Sequence, residues 1–260
     1  ALVSRGVDKN HLKSLSVLFR LDRLKEGLRY FLAHKGGEAG TQIPHLIKLA
    51  VAVSKYLHSA LEHVDEMKAI GRRFQRHQNG LTEKNRSRLR QFSDDKMVAI
   101  LLRLPDKLVA KARGRKPSYR TALLVQTALA IQFLSFAPIR IGNLVALDRQ
   151  KHFVWARHNG TRVQHLVLRA EEVKNSIDLE YPLPAEVTAL LDLYLTKYQP
   201  LMVGCAGAGL LFPGKTGGHK QQEGFSRTIS ATIQRETGLK MNPHLFRHFA
   251  AMLFLERHPG

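Results

Sequence analysis

The chain has 260 residues, of which 44% are hydrophobic, so it can bury the core of one large domain or two ordinary ones and is not expected to be disordered. Its single cysteine, Cys205, excludes an internal disulfide framework and a cysteine-based zinc site. The formal net charge of +20 points to a polyanionic partner, and it favours nucleic acid over a membrane surface.

The charge is uneven along the chain. Residues 1–116 carry 25 Lys and Arg against 11 Asp and Glu, a balance of +14, whereas residues 117–260 carry 16 against 10, a balance of +6. The N-terminal part is therefore the better candidate for contact with a phosphate backbone, although a solvated basic surface would have the same composition.

Residues 1–112 are predicted to form a helical DNA-binding domain. Apolar residues recur near helical spacing in residues 11–33, in 44–59 and around 67–74. The third of these helices carries Arg72, Arg73 and Arg76. Such a basic face either lies along DNA or faces water, and the sequence leaves both readings open. Thr82 and Asp94 mark two further helix starts.

Residues 113–118 are predicted to be a basic linker between two domains, because glycine, proline and clustered cations are typical of exposed connections. A linker of this kind suits a protein that closes around a duplex, while a charged surface loop has the same composition. The cations of this region are Lys111, Arg113, Arg115 and Lys116.

Residues 119–260 are predicted to form the second domain. The uncharged run 121–139 is long enough to span a membrane, but glutamines interrupt it and Pro138 ends it, so a buried helix is the better prediction and no membrane partner is expected.

A short helix should follow Arg140. Strands at 153–155 and 162–168 flank an Asn-Gly pair, which is a strong hairpin signal.

A third strand is predicted at 177–183, which places Lys174 at the turn before it. Helices are expected again at 185–198 and 225–237. Because the strands are consecutive and antiparallel and the remainder is helical, the pattern predicts an α+β fold.

The last helix should begin near Asn242, a good capping residue, and Pro243, which has no N–H to leave unsatisfied. His244 and Arg247 are three residues apart and share one face of this helix start, where free N–H groups and the helix dipole favour an anion.

Residues 209–216 match the P-loop pattern, which raises the alternative of a nucleotide-binding enzyme. A phosphate-cradling loop needs inward-pointing N–H groups and a helix that begins at the lysine. Here the interior is strand-like and contains Pro213, and Gly217-Gly218 would break such a helix. We therefore expect no P-loop.

None of the cations named above identifies a site alone. Arg140 could pair with Asp148, Lys174 could be a solvated turn residue near Glu171 and Glu172, and a buried His with a paired Arg is common on helices. Their order and setting together are more informative.

Four segments together resemble the tyrosine recombinase (phage integrase) family: Arg140-Ile-Gly-Asn-Leu, Lys174 before the strand that ends Tyr181-Pro182-Leu183-Pro184, Leu211-Phe212-Pro213, and His244-Leu-Phe-Arg247-His248. The resemblance covers residues 118–260 as the catalytic domain and, more loosely, 1–112 as the core-binding domain. It implies a helical N-terminal domain and a mainly helical catalytic domain with a small three-stranded antiparallel sheet.

By this resemblance, Arg140 and Arg247 would hold the non-bridging oxygens of a scissile phosphate, His244 would assist proton transfer, and Lys174 would protonate the leaving 5′-hydroxyl. A tyrosine would attack to form a 3′-phosphotyrosine, without a metal or another cofactor. The resemblance also implies double-stranded DNA as partner, a homo-oligomer that is tetrameric on DNA, and a cytoplasmic location. A mobile-element integrase is one such enzyme.

The sequence departs from the family in two places. Asn143 stands where an acidic residue often follows the first arginine, and no tyrosine occurs after Tyr198. We therefore expect the nucleophile to lie outside this chain, and the chain alone to be inactive. A non-catalytic DNA-binding protein of the same fold remains the alternative.

Overall fold

The computed structural model describes residues 3, 7–11, 13–34, 42–57, 61–74, 81–158, 161–202, 209–215 and 217–258. Their contacts divide the chain into two compact units, residues 1–80 and residues 81–260.

The described elements of the first unit are helical. They are α1 (Leu15–Leu18), α2 (Leu21–His34), α3 (Gln42–Tyr56) and α4 (Leu61–Arg73), together with a 3-10 turn at Lys9–His11. Apolar side chains that face inward from α2, α3 and α4 form the small core of this unit, and they are Leu24, Leu28, Ile43, Ile47, Ala50 and Met67.

The single helix predicted for residues 11–33 is two helices. Ser14 caps the start of α1. At the end of this short helix, the N–H of Phe19 donates to the carbonyls of Leu15 and Val17. Nε2 of His63, a residue of α4, is hydrogen-bonded to the carbonyl of Phe19 at 3.3 Å. The break is thus stabilised by a tertiary contact that helical periodicity does not encode.

The second unit contains eight helices and five strands within its described residues. The helices are α5 (Glu83–Arg90), α6 (Asp95–Leu102), α7 (Leu104–Arg113), α8 (Tyr119–Phe136), α9 (Ile141–Ala146), α10 (Ala185–Leu193), α11 (Gln222–Thr237) and α12 (Leu245–Arg257). The strands are β1 (Phe153–His158), β2 (Thr161–Leu168), β3 (Leu179–Pro182), β4 (Pro213–Gly214) and β5 (Gly217–His219).

Helix α8 lies at the centre of this unit, which confirms the prediction of a buried, uncharged helix. Ser118 caps it and forms a capping box with Thr121. Its interior residues, including Val125, Leu129 and Phe133, are fully buried against α7, α10, α11 and α12. Among the described helices, none combines the length and the apolar character needed to cross a membrane.

The boundary between the two units differs from the predicted one. Leu104 and Leu108 of α7 are at most 1% exposed and belong to the same core as α8. Residues 81–113 therefore fold with the second unit. The predicted linker at 113–118 is a short turn between two packed helices, because Gly114 ends α7 and Ser118 starts α8.

Strands β1, β2 and β3 form an antiparallel sheet in that order, with Phe153 opposite Leu166 and Leu166 opposite Tyr181. Strands β4 and β5 form a separate two-stranded hairpin. The α+β class predicted from the sequence, mainly helical with a small three-stranded sheet, is confirmed.

The P-loop pattern does not form a P-loop. Leu211 and Phe212 are fully buried, and β4 follows them directly. Beyond the exposed Lys215, the chain continues into β5 instead of a helix. Gly209 lies against Asp148 instead, and a β-carbon at position 209 would lie too close to Oδ2 of Asp148, so that carboxylate would have to move.

A buried hydrogen-bond relay ties α8 to the segment before β4. Nε2 of Gln126 donates to the hydroxyl of Tyr194 at 2.9 Å, and that hydroxyl donates to the carbonyl of Leu211 at 3.1 Å. Both side chains are fully buried, so neither can turn to water for a replacement partner.

We predict that Tyr194→Phe lowers the free energy of unfolding by about 1–3 kcal/mol, because it leaves the amide of Gln126 buried without its acceptor. The matched control is Tyr198→Phe, since Tyr198 is also buried and its hydroxyl has no hydrogen bond within the described part of the chain. Urea denaturation measures both. Equal losses in the two variants would contradict the role of the relay.

Candidate active site

The four residues that the sequence marks as catalytic line one cavity in the second unit. This cavity has a volume of about 610 Å³ and is open to solvent. Arg140, Lys174, His244 and Arg247 reach it from three separate parts of the chain. We call it the active-site cavity.

The two arginines are held by neighbouring pieces of backbone. Arg140 is the N-cap residue of α9 and lies four residues after the end of α8 at Phe136. Arg247 lies in the first turn of α12, and its Nη1 donates to the carbonyl of Pro138 at 3.2 Å. The segment that carries one guanidinium thus anchors the other.

Asn242 accepts a hydrogen bond at the start of α12, although this helix begins at Leu245, after His244, and not at Pro243 as predicted. The N–H of Leu245 donates to Oδ1 of Asn242 at 2.9 Å. Phe249 of the same helix packs against Phe92 with a ring-centroid distance of 4.6 Å, which fixes the rotation of α12. His244 and Arg247 therefore share the side of the helix start that faces the cavity.

Asn143 connects the helix of Arg140 to the turn before Lys174. Its Nδ2 donates to the carbonyl of Glu172 at 2.7 Å. Nη2 of Arg140 donates to Oδ1 of Asn175 at 3.2 Å, on the other side of Lys174. An acidic residue at position 143 could not donate to that carbonyl, so the departure from the family pattern has a local structural use here.

Glu172 is the centre of a polar cluster behind the cavity. Its Oε1 accepts hydrogen bonds from Lys151 at 2.6 Å and from Nε2 of His152 at 2.9 Å, and its Oε2 accepts the N–H of Arg169 at 3.0 Å. Burial alone would raise the pKa of Glu172, but the hydrogen bonds from Lys151 and His152 outweigh it and lower the pKa to about 2.

His152 is oriented from both ring nitrogens. The N–H of Asp148 donates to Nδ1 at 2.7 Å, so Nδ1 must be an acceptor and Nε2 carries the proton that it shares with Glu172. The side chain is buried. His152 is thus held on both sides of its ring where it lines the cavity.

The ring of His244, which lines the cavity, lies edge to face against the ring of His248, with their centroids 5.2 Å apart. Burial, together with the nearby His244 and Arg247 side chains, lowers the pKa of His248. His248 is therefore neutral near neutral pH, and it adds no positive charge of its own beside the arginine.

The cavity has an excess of positive charge. Within the described part of the chain, Arg140, Lys174 and Arg247 form no ion pair. The one carboxylate that lines the cavity, Glu172, is already engaged by Lys151 and His152. The alternative pairing of Arg140 with Asp148 is not formed in the described structure, whereas Lys174 is exposed in a turn near Glu172, as its alternative reading has it. Three uncompensated cations in a concave site favour a bound anion.

The residues predicted to bind DNA are not brought into this cavity. Arg72 and Arg73 are exposed at the end of α4 in the first unit, and Arg76 lies outside the described residues. Lys111 pairs at 2.5 Å with Glu236, a contact between α7 and α11. Arg113, Arg115 and Lys116 are exposed on the turn before α8.

Sequence reasoning missed His152, Glu172 and Gln222 as lining residues. The signal for the first two was present but ambiguous, because a histidine after a turn and an acid near a lysine are common. No pattern in the sequence pairs Gln222 with the cavity. Among the described residues, no group of His, Cys, Asp and Glu is arranged to hold a metal ion.

No protein-family model matches the sequence, and no curated protein matches it. Six chains of solved structures are similar to this chain, and the following are two of them. One is the XerH site-specific recombinase bound to its difH substrate in a pre-cleavage complex, with 19% identity and a TM-score of 0.44 over 60% of this chain and 42% of that one. The other is the XerA recombinase, with 15% identity and a TM-score of 0.36 over 98% of this chain and 81% of that one. The chain thus spans less than half of the XerH chain.

We predict that Glu172→Gln lowers the free energy of unfolding by about 1–3 kcal/mol near neutral pH, because charge-assisted hydrogen bonds are lost. The folded-state pKa of Glu172 lies below its ordinary value. The stabilisation from its carboxylate is therefore complete above about pH 4.5 and disappears as the pH falls towards about 2. Urea denaturation of the wild type and the variant at several pH values measures the difference.

The neighbouring Glu171→Gln is the matched control, since Glu171 is exposed and its side chain accepts no hydrogen bond in the described structure. A Glu172→Gln difference that stays constant from neutral pH to about pH 3 would contradict the assigned ionisation.

Proposed function

We propose that this chain is the DNA-binding and phosphate-binding part of a site-specific recombinase of the tyrosine recombinase family, an enzyme that breaks and rejoins DNA. The observation that carries the proposal is the convergence of Arg140, Lys174, His244 and Arg247 on one cavity whose cations are left unpaired. If these four residues had only structural roles, nothing would require side chains from separate turns and helices to line the same cavity.

In the proposed reaction, the scissile phosphodiester lies between the two guanidiniums. Attack on phosphorus increases the negative charge on the non-bridging oxygens, and Arg140 and Arg247 stabilise that charge with donors that are already oriented. Pro138 and Asn175 hold these donors before DNA binds, so little reorganisation is needed during the reaction.

Proton transfers fall to the other two residues. Lys174, exposed and without an ion pair in the described structure, would give its proton to the departing 5′-oxygen. His244 would hydrogen-bond the phosphate or take the proton of the attacking hydroxyl. The charge is supplied by side chains alone, so the proposed chemistry needs no metal or cofactor.

The nucleophile would come from outside residues 1–260. None of the residues that line the active-site cavity carries a hydroxyl or a thiol. We propose a tyrosine that forms a 3′-phosphotyrosine, with double-stranded DNA as substrate, a homo-oligomer on DNA and an intracellular site of action. Integration of a mobile element is one use of such an enzyme.

The same observation favours a second candidate, a non-catalytic DNA-binding protein that keeps the fold. A cavity that binds phosphate but offers no nucleophile is what a pure binder would present. The two candidates make different demands on the arginines. A binder needs only their positive charge, whereas an enzyme also needs the orientation of their donor groups.

We predict that the chain of residues 1–260 forms no covalent complex with a nicked duplex that traps phosphotyrosine intermediates, because its cavity lacks a hydroxyl. The same assay on the natural protein in its full reading frame should give a covalent complex that resists denaturation, visible as a slower band on a denaturing gel. A covalent product from residues 1–260 alone would refute the assignment of the nucleophile.

We predict that Arg140→Lys in the full-frame protein lowers strand cleavage by about 10²–10³-fold, as expected when one oriented donor to a developing oxyanion is lost. Duplex affinity should change only a few-fold, since the charge is kept. The matched control is Arg149→Lys, at an exposed position that does not line the cavity. Cleavage that is unchanged in Arg140→Lys would contradict the role given to this arginine, whereas a wild-type full-frame protein that binds the duplex without cleaving it would support the non-catalytic candidate.

A further inference from the structure

A second basic cavity lies in the same unit, between α5, α11 and the loop that precedes α12. Its volume is about 810 Å³. The polar residues that line it are Arg88, Arg227, Ser230, Gln234, Arg235, Lys240 and Asn242. We call it the α5–α11 cavity. It shares no lining residue with the active-site cavity.

Positive charge in this cavity is almost uncompensated. No acidic residue lines it, and within the described structure Arg88, Arg227 and Lys240 form no ion pair. Nε of Arg235 lies 3.4 Å from the carboxylate of Glu236, but that carboxylate is also held by Lys111. Four cations around one concave surface repel each other and attract a polyanion.

The shape of the cavity is fixed by hydrogen bonds of the loop that forms its wall. Gln91, at the end of α5, accepts the N–H of Lys240 at 2.9 Å and donates to the carbonyl of the same residue at 3.2 Å. The side chain of Asn242 is held as well, because its Oδ1 accepts the N–H of Leu245. A wall that is already ordered loses little entropy when a ligand binds.

The two cavities are adjacent along the chain. Asn242 lines the α5–α11 cavity and His244 lines the active-site cavity. Because successive Cα atoms are 3.8 Å apart, the Cα atoms of these two residues are separated by no more than about 7 Å, although this spacing does not fix the direction in which each cavity opens. A nucleic acid strand carries one phosphate about every 3.4 Å along the helix axis, so a strand with one phosphate at His244 has further phosphates within reach of the second cavity.

We propose that the α5–α11 cavity binds backbone phosphates of the same DNA duplex whose reacting phosphate lies in the active-site cavity. The regular spacing of phosphates favours a nucleic acid over an acidic peptide, whose carboxylates have no fixed repeat. The inference rests on the proposed function, and it moves the main backbone contact of this unit from the basic turn at 113–118 to the face formed by α5 and α11.

The test compares duplex binding of the wild-type chain and of Arg227→Ala/Lys240→Ala across a range of salt concentrations. Both side chains are exposed and unpaired in the described structure, so the double variant should fold normally. If each cation neutralises one phosphate, the slope of log affinity against log salt should become shallower by about 1.8, which is two contacts at about 0.9 each. Affinity at low salt should fall more than tenfold.

The matched control is Arg103→Ala/Lys197→Ala, which removes the same charge from exposed positions that line neither cavity. If the control loses as much slope as the test variant, or if the test variant keeps the wild-type slope, the inference is overturned while the proposed function stands. Wild-type binding that does not depend on salt would overturn both. Displacement of the duplex by polyglutamate at equal charge, abolished by the same double variant, would assign the cavity to acidic peptides instead.

Discussion

The burial of α8 is the constraint on which the rest of the second unit depends. A helix with no charged residue between Thr121 and Phe136 has no face suited to water, so other helices must surround it. Each large apolar side chain buried in this way contributes about 1.5–3 kcal/mol. This helix ends at Phe136, and the short segment that follows it carries both Pro138, whose carbonyl accepts from Arg247, and Arg140, which caps α9. Core packing and the active-site geometry are therefore linked.

Around that frame the polar groups are divided between two tasks. Glu172, His152 and Lys151 satisfy one another behind the cavity, and they form a closed network that stabilises the turn before Lys174. Arg140 and Arg247 use only part of their donors within the protein and direct the remainder at the cavity. Unpaired cations lower the stability of a folded chain through mutual repulsion. Their persistence at two adjacent cavities is consistent with a highly charged anionic partner.

Local signals in the sequence were sufficient for much of this architecture. The uncharged run around α8 and the antiparallel pairing of β1 with β2 depend on neighbouring residues, and both are present at the predicted place, while the Asn-Gly pair at 159–160 lies outside the described residues. Asn242 likewise accepts the expected hydrogen bond near the start of α12. The convergence of four distant residues on one cavity was reached only through resemblance to a family, because spacing along the chain carries no information on distance in space.

Features that depend on tertiary contacts were not predicted. The break between α1 and α2 involves His63, 44 residues away from Phe19, and the boundary at residue 80 reflects the packing of α7 on α8. A run of glycine, proline and cations at 113–118 resembles a linker, yet the helices on both sides share one core. The α5–α11 cavity combines residues from three separate segments, none of which is unusual alone.

The acceptor that holds Arg247 is a main-chain carbonyl, at Pro138, and the acceptor for Asn143 is the carbonyl of Glu172. Every residue type supplies such a carbonyl, so side-chain replacement at the acceptor position leaves the oxygen in place. A substitution can therefore remove the side chain of Arg247 or Asn143, but a substitution at Pro138 or Glu172 leaves the carbonyl acceptor in place. Over evolutionary time, this asymmetry would let the residues that support the cavity drift in sequence while the positions of the arginines are retained.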